Sequence, residues 1–142
     1  MDQIAQCLRV YVVEDSPIIQ GLLESIIEAA GAELIGRSAG AEAAVADLSV
    51  LQPDLILIDI ILESGTGFDV LRALRERKLA PKATKVMLTN HANAEYRTHS
   101  FALGAEHFLD KASETSRLLT LLNTLASERR RSRAAPPAPD RS

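Results

Sequence analysis

The stretch LILIDIILESGTG, residues 55–67, is the most apolar part of this chain and has a carboxylate in its middle. Seven of its first eight residues are Leu or Ile, and the remaining one is Asp59. A run that is apolar on both faces predicts a central strand of a parallel sheet, because helices cover both sides of such a strand. An unpaired carboxylate is costly to bury. We therefore expect Asp59 where the strand ends, in a functional role.

Apolar runs and amphipathic stretches alternate along the whole chain around this strand. The runs predict strands at residues 8–14, 33–38, 54–59, 84–90 and 105–111. Apolar residues at helical spacing predict helices within residues 15–31, 41–51, 67–78, 93–104 and 113–130. Ser16 suits the N-cap of the first helix, Pro17 its first position and Gly31 its C-terminal cap. The alternation predicts an α/β domain with a five-stranded parallel sheet, doubly wound as (βα)5.

The length, the cysteine count and the N-terminus bound the class of protein. A chain of 142 residues fits one domain with one core. The single cysteine, Cys7, excludes an intrachain disulfide and fits a reducing cytosol. The N-terminus has no basic start followed by an apolar stretch, and no run approaches the roughly 18 apolar residues of a membrane helix. We expect a soluble, cytoplasmic protein without a membrane segment.

The net charge of −3 is unevenly distributed. Residues 128–142 hold five Arg and two acids, whereas residues 1–127 hold eleven basic and seventeen acidic side chains. This acidic body argues against a nucleic-acid surface on the folded part. The composition predicts a folded domain at 1–127 and a basic, Pro-rich disordered tail at 128–142. The Arg run within it is typical of a solvated helix end, and a basic patch for a partner is the less favoured interpretation.

Acids, a hydroxyl and a lysine come at the carboxyl ends of four predicted strands. Glu14 and Asp15 follow the first strand, Asp59 the third, Thr89 ends the fourth and Lys111 follows the fifth. Ligands of open α/β sheets bind at this edge. A hard cation such as Mg²⁺ relieves the repulsion of clustered carboxylates, a lysine and a hydroxyl pair with phosphoryl oxygens, and an aspartate can be the nucleophile. The set indicates Mg²⁺-assisted phosphoryl transfer to a carboxylate.

Each of these residues also has a structural interpretation when taken alone. Asp59 could cap a turn, and Glu14 with Asp15 could answer the dipole of the first helix, a role compatible with metal binding. Thr89 could reflect β propensity, and Lys111 could be a surface lysine. The functional interpretation depends on their convergence.

With these motifs, residues 8–126 resemble a receiver domain of the two-component response regulators. The resemblance implies the flavodoxin-like strand order 2-1-3-4-5 and a phosphoacceptor role for Asp59. It implies Mg²⁺ ligands from Glu14, Asp15, Asp59 and the backbone carbonyl of Ile61. Gly67 matches the small residue that follows the acceptor loop.

The resemblance also assigns the parts of a switch. Thr89 matches the hydroxyl that turns toward the phosphoryl group, Lys111 the lysine that pairs with it, and Phe108 the aromatic whose rotamer follows. Three departures concern output rather than phosphorylation: Glu63 and Ala112 stand where the family often has Pro, and Phe108 replaces a Tyr. Without a proline after Lys111, the usual reason for a cis peptide is absent.

The implied function is a signalling switch that accepts a phosphoryl group on Asp59 from a histidine kinase or phosphotransfer protein. We expect output through an unknown partner protein, with a possible homodimer through the face of the fourth helix, fifth strand and fifth helix. We expect no turnover enzyme beyond the domain's own phosphorylation and slow autodephosphorylation, since a phosphatase would carry a second acid where Ile61 stands. The alternative is a phosphorylation-independent protein-interaction module of the same fold.

Overall fold

Five strands and five helices alternate along the described chain, which comprises residues 7–134 of a computed structural model. The strands are β1 (Arg9–Val13), β2 (Glu33–Ser38), β3 (Leu55–Ile58), β4 (Thr84–Thr89) and β5 (His107–Asp110). The helices are α1 (Pro17–Ala29), α2 (Ala41–Leu48), α3 (Gly67–Glu76), α4 (Ala94–Ala102) and α5 (Thr115–Ala134). Within these residues no helix is long and apolar enough to cross a membrane.

The strands form one parallel sheet in the order β2-β1-β3-β4-β5. This order confirms the predicted doubly wound α/β fold. The chain winds one way from β1 to β2 and the other way from β3 to β5, so the order reverses beside β1. Val13 pairs with Ile58, the last residue of β3. The residues that follow β1 and β3 therefore leave the sheet side by side at the reversal point, where such folds bind ligands.

The central strand β3 is buried on both faces, as its sequence predicts. All four of its residues are at most 1% exposed. Ile56 and Ile58 pack in the apolar layer that includes residues of α2 and α3, whereas Leu55 and Leu57 pack in the layer with α1 and α5. The alternation places successive side chains on opposite faces of the sheet. Two aliphatic layers therefore hold the strand whose end carries Asp59.

The predicted ends of α1 are confirmed, but the end of α2 is not. The Ser16 hydroxyl accepts a hydrogen bond from the Ile19 N–H at 3.3 Å, Pro17 is the first helical residue, and Gly31 follows the helix with φ 77°. The helix α2 ends at Leu48 rather than at residue 51. The Ser49 hydroxyl donates to the Ala46 carbonyl at 2.6 Å, and the Leu51 N–H still donates to the Asp47 carbonyl at 2.9 Å, so helical hydrogen bonding fades gradually beyond Leu48.

The helix α5 extends beyond the predicted domain boundary at residue 127. It continues to Ala134, so residues 128–134 of the predicted tail are helical. Arg129 donates to Asp54 at 2.7 Å, and Asp54 also accepts the Arg9 N–H at 2.8 Å. Arg is a good helix former, and this long-range ion pair fastens the extension to the start of β3. The rest of the predicted tail, 135–142, lies outside the described residues.

Gly67 begins α3 in close contact with the backbone at the end of β3. A Cβ atom at this position would lie 2.4 Å from the Asp59 carbonyl oxygen and 3.0 Å from both Ile58 Cγ2 and Met87 Cε. The Gly67 N–H donates to the Ile60 carbonyl at 2.8 Å. The absence of a side chain therefore allows α3 to begin directly beneath Asp59.

Replacing Gly67 by Ala should destabilise the domain by about 2 kcal/mol, because the methyl group must displace backbone in a packed region. The matched control is Gly21→Ala in α1, where a Cβ atom meets nothing within 4 Å. That change should stabilise the domain by roughly 0.5 to 1 kcal/mol through helix propensity. Urea unfolding of both variants measures the difference, and equal stabilities would contradict the assigned contact.

Candidate functional site

Three carboxylates meet at the carboxyl end of the sheet. Glu14 and Asp15 follow β1, Asp59 follows β3, and one carboxylate oxygen from each lies within 4.8 Å of the others. Glu14 is 2% exposed and Asp59 is 7% exposed, while Asp15 is half-buried. The fold thus brings together the three acids that the sequence predicted would converge.

Lys111 reaches into this cluster from the end of β5. Its Nζ lies 2.5 Å from Glu14 Oε1 and 3.0 Å from Asp59 Oδ2, and about a tenth of its side chain is exposed. Burial alone would lower the pKa of Lys111, but hydrogen bonds and charge attraction from Glu14 and Asp59 outweigh it and raise that pKa. Lys111 is therefore a buried cation that two acids hold in the charged form.

Asp59 is buried without being left unpaired. Its N–H donates to the Val13 carbonyl at 2.9 Å. Its Oδ1 accepts the Ile60 N–H at 2.8 Å, and its Oδ2 faces Lys111 Nζ. Each carboxylate oxygen has a donor, which offsets the cost of burial. These contacts explain how an aspartate is tolerated within the apolar stretch 55–62.

Glu14 is held from two sides. Its Oε2 accepts the Ser16 N–H at 3.1 Å, and its Oε1 accepts from Lys111. The Gln20 side chain donates to the Glu14 carbonyl. Burial raises the pKa of Glu14 above its ordinary value, against the opposing effects of Lys111 and Ser16. A bound cation would stabilise the charged form of this carboxylate.

Thr89 is fully buried at the end of β4, and its backbone lies beside that of Lys111, which follows β5. The Lys111 N–H donates to the Thr89 carbonyl at 3.0 Å. The Thr89 hydroxyl accepts the His91 N–H at 3.1 Å, a contact that the sequence did not indicate. The hydroxyl can still donate its own proton, because it both donates and accepts. Its location is compatible with the switch role that the resemblance implies.

Phe108 is in the core, 6% exposed, on the same face of the sheet as Thr89. Phe108 pairs with Met87 on β4, and Thr89 lies two residues after Met87. Residues two apart in a strand share a face, so the side chains of Phe108 and Thr89 lie on the same face of the sheet. The Arg97 guanidinium lies 5.9 Å from the Phe108 ring centroid and 5.2 Å from that of Phe101. Such contacts are cation–π interactions. Nothing in the sequence pattern marked Arg97 as a neighbour of Phe108.

Two of the three departures, Glu63 and Ala112, lie in loops, and the Glu63 loop also contains Ile61. Ile61 is 44% exposed and forms an isolated antiparallel bridge with Thr66, and its carbonyl remains a predicted ligand. Glu63 is exposed in the same loop. The Ala112 N–H donates to Asp110 Oδ1 at 2.8 Å, and the Lys111–Ala112 bond is trans. Neither loop removes an acid, a hydroxyl or a lysine from the site.

The donor set fits a hard divalent cation. Three carboxylates outnumber the single ammonium of Lys111, which leaves an excess of negative charge at the cluster. Mg²⁺ prefers oxygen ligands and usually binds one or two carboxylates while keeping several waters. Glu14, Asp15 and Asp59 supply such oxygens within 4.8 Å of one another. The oxygen ligands of the cluster therefore suit Mg²⁺.

Curated relatives share this chain's domain over most of its length. Protein CcdB of Bacillus subtilis (strain 168) is 31% identical over 111 residues, which cover 78% of this chain and 91% of that protein. Four other curated regulators are longer, and the chain spans 24% to 51% of their length.

Solved structures share the fold. A response regulator receiver domain protein (CheY-like) from Methanospirillum hungatei JF-1 has a TM-score of 0.75 and 26% identity, covering 89% of this chain and 98% of that chain. The receiver domain of sensor histidine kinase PA1611 from Pseudomonas aeruginosa PAO1 has a TM-score of 0.74 and 22% identity, covering 85% and 98%. That structure has a magnesium ion coordinated in its active site cleft.

The family profile described as response regulator receiver domain matches residues 10–123. This range begins in β1 and ends within α5, so it includes every strand and all the acids of the cluster. The chain therefore belongs to the response regulator receiver domains of two-component systems.

Proposed function

We propose that this chain is a switch that is activated when Asp59 accepts a phosphoryl group from a histidine kinase or a phosphotransfer protein. One observation carries the proposal: Lys111 Nζ contacts both Glu14 and Asp59, and Asp15 completes the acidic cluster. A structural ion pair needs one carboxylate for one lysine. The surplus of buried acids around Asp59 suits a site that binds a cation and a phosphoryl group.

The proposed reaction forms an acyl phosphate. A carboxylate oxygen of Asp59 attacks phosphorus, the bond from phosphorus to the donor's histidine nitrogen breaks, and the leaving imidazole retains that electron pair. Lys111 supplies a positive charge that can move from the carboxylates to the phosphoryl oxygens. When bound, Mg²⁺ would neutralise charge on those oxygens, held by Glu14, Asp15, Asp59 and the Ile61 carbonyl.

The phosphoryl group would then alter the balance between two conformations. It adds about −2 charge at neutral pH, which attracts Lys111 and the Thr89 hydroxyl. Movement of Thr89 would open space on the face of the sheet that Phe108 shares. A phosphorylated chain would thus favour a second state in which Phe108 is repositioned.

Output would pass through the face formed by α4, β5 and α5, to a partner protein or in a homodimer. Phe108 on β5 and Arg97 on α4 lie in contact there, so repositioning Phe108 changes this face. The chain would catalyse no reaction other than its own phosphorylation and slow autodephosphorylation. We place the switch in the cytoplasm, as expected from the single cysteine.

Apolar side chains beside the site would suit a docked donor protein. Ile18 and Leu22 on α1 are 83% and 52% exposed, and α1 begins directly after the two acids that follow β1. Large exposed apolar side chains grouped near a polar site are typical of protein-binding surfaces.

Incubation with acetyl phosphate tests the proposal without the unknown donor. In the presence of Mg²⁺, intact-protein mass spectrometry should show one added phosphoryl group, and excess EDTA should prevent the addition. A chain that remains unlabelled with Mg²⁺ would overturn the proposal and favour the alternative, a phosphorylation-independent interaction module.

A further inference from the structure

The basic residues of the folded body are concentrated in one segment. Residues 72–85 hold six basic side chains and one acid, a net charge of +5. The other residues of 1–127 hold five basic and sixteen acidic side chains, a net charge of −11. This basic segment covers the end of α3, the following loop and the start of β4. Residues 72–85 therefore form a strongly positive region on a body whose other residues up to 127 are acidic, and the Arg residues at the end of α5 form a second basic stretch.

A groove of about 380 Å³ lies within the basic segment. Its apolar wall includes Leu79 and Pro81 from the loop and Leu103 from the end of α4. Three cations line it: Arg75, Lys78 and Lys85. We call this feature the α3–β4 groove. Its combination of apolar wall and cationic lining offers two kinds of contact to a single ligand.

The charges around the groove are largely available for a ligand. Arg75 donates to the Ala102 carbonyl and Lys85 Nζ to the Ala83 carbonyl, and among residues 7–134 neither side chain forms an ion pair. In the described part of the chain, Arg77, Lys78 and Lys82 form no ion pair, and all three are exposed. Uncompensated cations on one small surface attract an anionic partner.

The α3–β4 groove lies at the amino-terminal ends of the strands, whereas Asp59 lies at their carboxyl ends. Thr84 begins β4 and pairs with Leu55, the first residue of β3, whereas Asp59 follows the last. A ligand in the groove therefore leaves the acidic cluster accessible. Docking there is compatible with phosphorylation at the other edge.

We propose that the α3–β4 groove binds an acidic amphipathic helix of a partner protein, with apolar side chains at helical spacing on one face and Glu or Asp side chains beside them. The apolar side chains would pack on Leu79 and Pro81, and the acids would pair with Arg75, Lys78 and Lys85. This mode is an amphipathic helix laid in a groove. The proposal is independent of whether Asp59 accepts a phosphoryl group.

A nucleic acid fits this surface less well than a peptide. Its phosphates would meet the acidic remainder of the body beyond the basic segment, and repulsion there opposes binding. Single strands also bind through stacking on aromatic side chains, and none of the residues lining the groove is aromatic. The apolar wall would remain without a partner.

Fluorescence anisotropy of a labelled peptide tests the proposal on the full chain. The probe is a short peptide of glutamate and leucine, with the leucines at helical spacing. It should bind saturably, and Arg75→Glu with Lys78→Glu should weaken binding about tenfold or more. Arg37→Glu with Arg117→Glu is the matched control, because it changes the net charge equally away from the groove. The control pair should change affinity less than about twofold.

Several outcomes would overturn the proposal. They are absence of saturable binding, equal losses in the two charge-reversed pairs, or equal binding of a peptide in which glutamine replaces leucine. A single-stranded oligonucleotide binding as tightly as the peptide would assign the surface to nucleic acid instead. Sedimentation would assign the groove to a second copy of the chain if the unmodified chain self-associates and the double variant Arg75→Glu, Lys78→Glu does not.

Discussion

Replacing Asp59 by Asn should abolish phosphoryl incorporation from acetyl phosphate with Mg²⁺. The amide is a poor nucleophile, but it is nearly isosteric, and its oxygen can still accept the Ile60 N–H bond that Asp59 Oδ1 accepts at 2.8 Å. The change also removes one of three clustered carboxylates, which relieves repulsion. The variant should therefore fold normally while losing the label, as intact-protein mass spectrometry and urea unfolding measure.

The matched control for this change is Asp69→Asn, ten residues along the chain and exposed at the start of α3. Asp69 belongs to a capping box with Thr66 and an ion pair with Arg72, so its replacement affects only the helix end. It should keep full labelling. Labelling of Asp59→Asn at the rate of the unmodified chain would show that another residue accepts the phosphoryl group.

Replacing Lys111 by Met should reduce the free energy of unfolding by about 3 kcal/mol in the absence of divalent cations. Methionine has a similar length and packs well, so the loss is one of charge. It leaves Glu14 and Asp59, both more than nine-tenths buried, without the cation that lies 2.5 and 3.0 Å away. Breaking a buried pair leaves an uncompensated charge, which accounts for the size of the loss. Urea unfolding in EDTA measures it.

Mg²⁺ and a second lysine provide the controls for Lys111. Adding Mg²⁺ should restore part of the lost stability of Lys111→Met, because a cation at the three acids replaces some of the missing positive charge. Lys82→Met, at an exposed lysine, should change stability by less than about 0.5 kcal/mol. Equal stability of Lys111→Met and Lys82→Met in EDTA would show that Lys111 does not stabilise the buried carboxylates of Glu14 and Asp59.

The locations of the strands and of the first cap could be predicted because their signals are local. The apolar stretch 55–58, the Ser16–Pro17 start and Gly31 each depend on a few adjacent residues and on backbone preferences. The predicted end of α2 at residue 51 was too late, because the last turn keeps a helical hydrogen bond from Leu51 to Asp47 without belonging to the regular helix. The boundary at residue 127 was placed too early because an Arg-rich composition is typical of a disordered tail. The sequence pattern does not show that Arg129 contacts Asp54, which lies 75 positions away, within the helix that continues to Ala134.

The sequence was enough to predict the order of the elements and the acids, hydroxyl and lysine that lie at the carboxyl ends of the strands. Strand–helix alternation dictates a parallel sheet, and a parallel sheet brings the ends of β1, β3, β4 and β5 to one edge, so the convergence of Asp59 with its partners followed from topology. Contacts between side chains far apart in the chain could not be predicted in this way. Lys111 contacts Glu14 and Asp59 across 97 and 52 positions, and Gly67 approaches the Asp59 carbonyl.

The tertiary structure also decided the surroundings of Phe108 and the α3–β4 groove. Arg97 covers the ring of Phe108, and a loop after α3 meets the end of α4 to form the groove. Such contacts depend on strand register, helix packing and side-chain conformation together, which no local pattern encodes. Local preferences thus specify which groups reach each edge of the sheet, and packing specifies which of those groups touch.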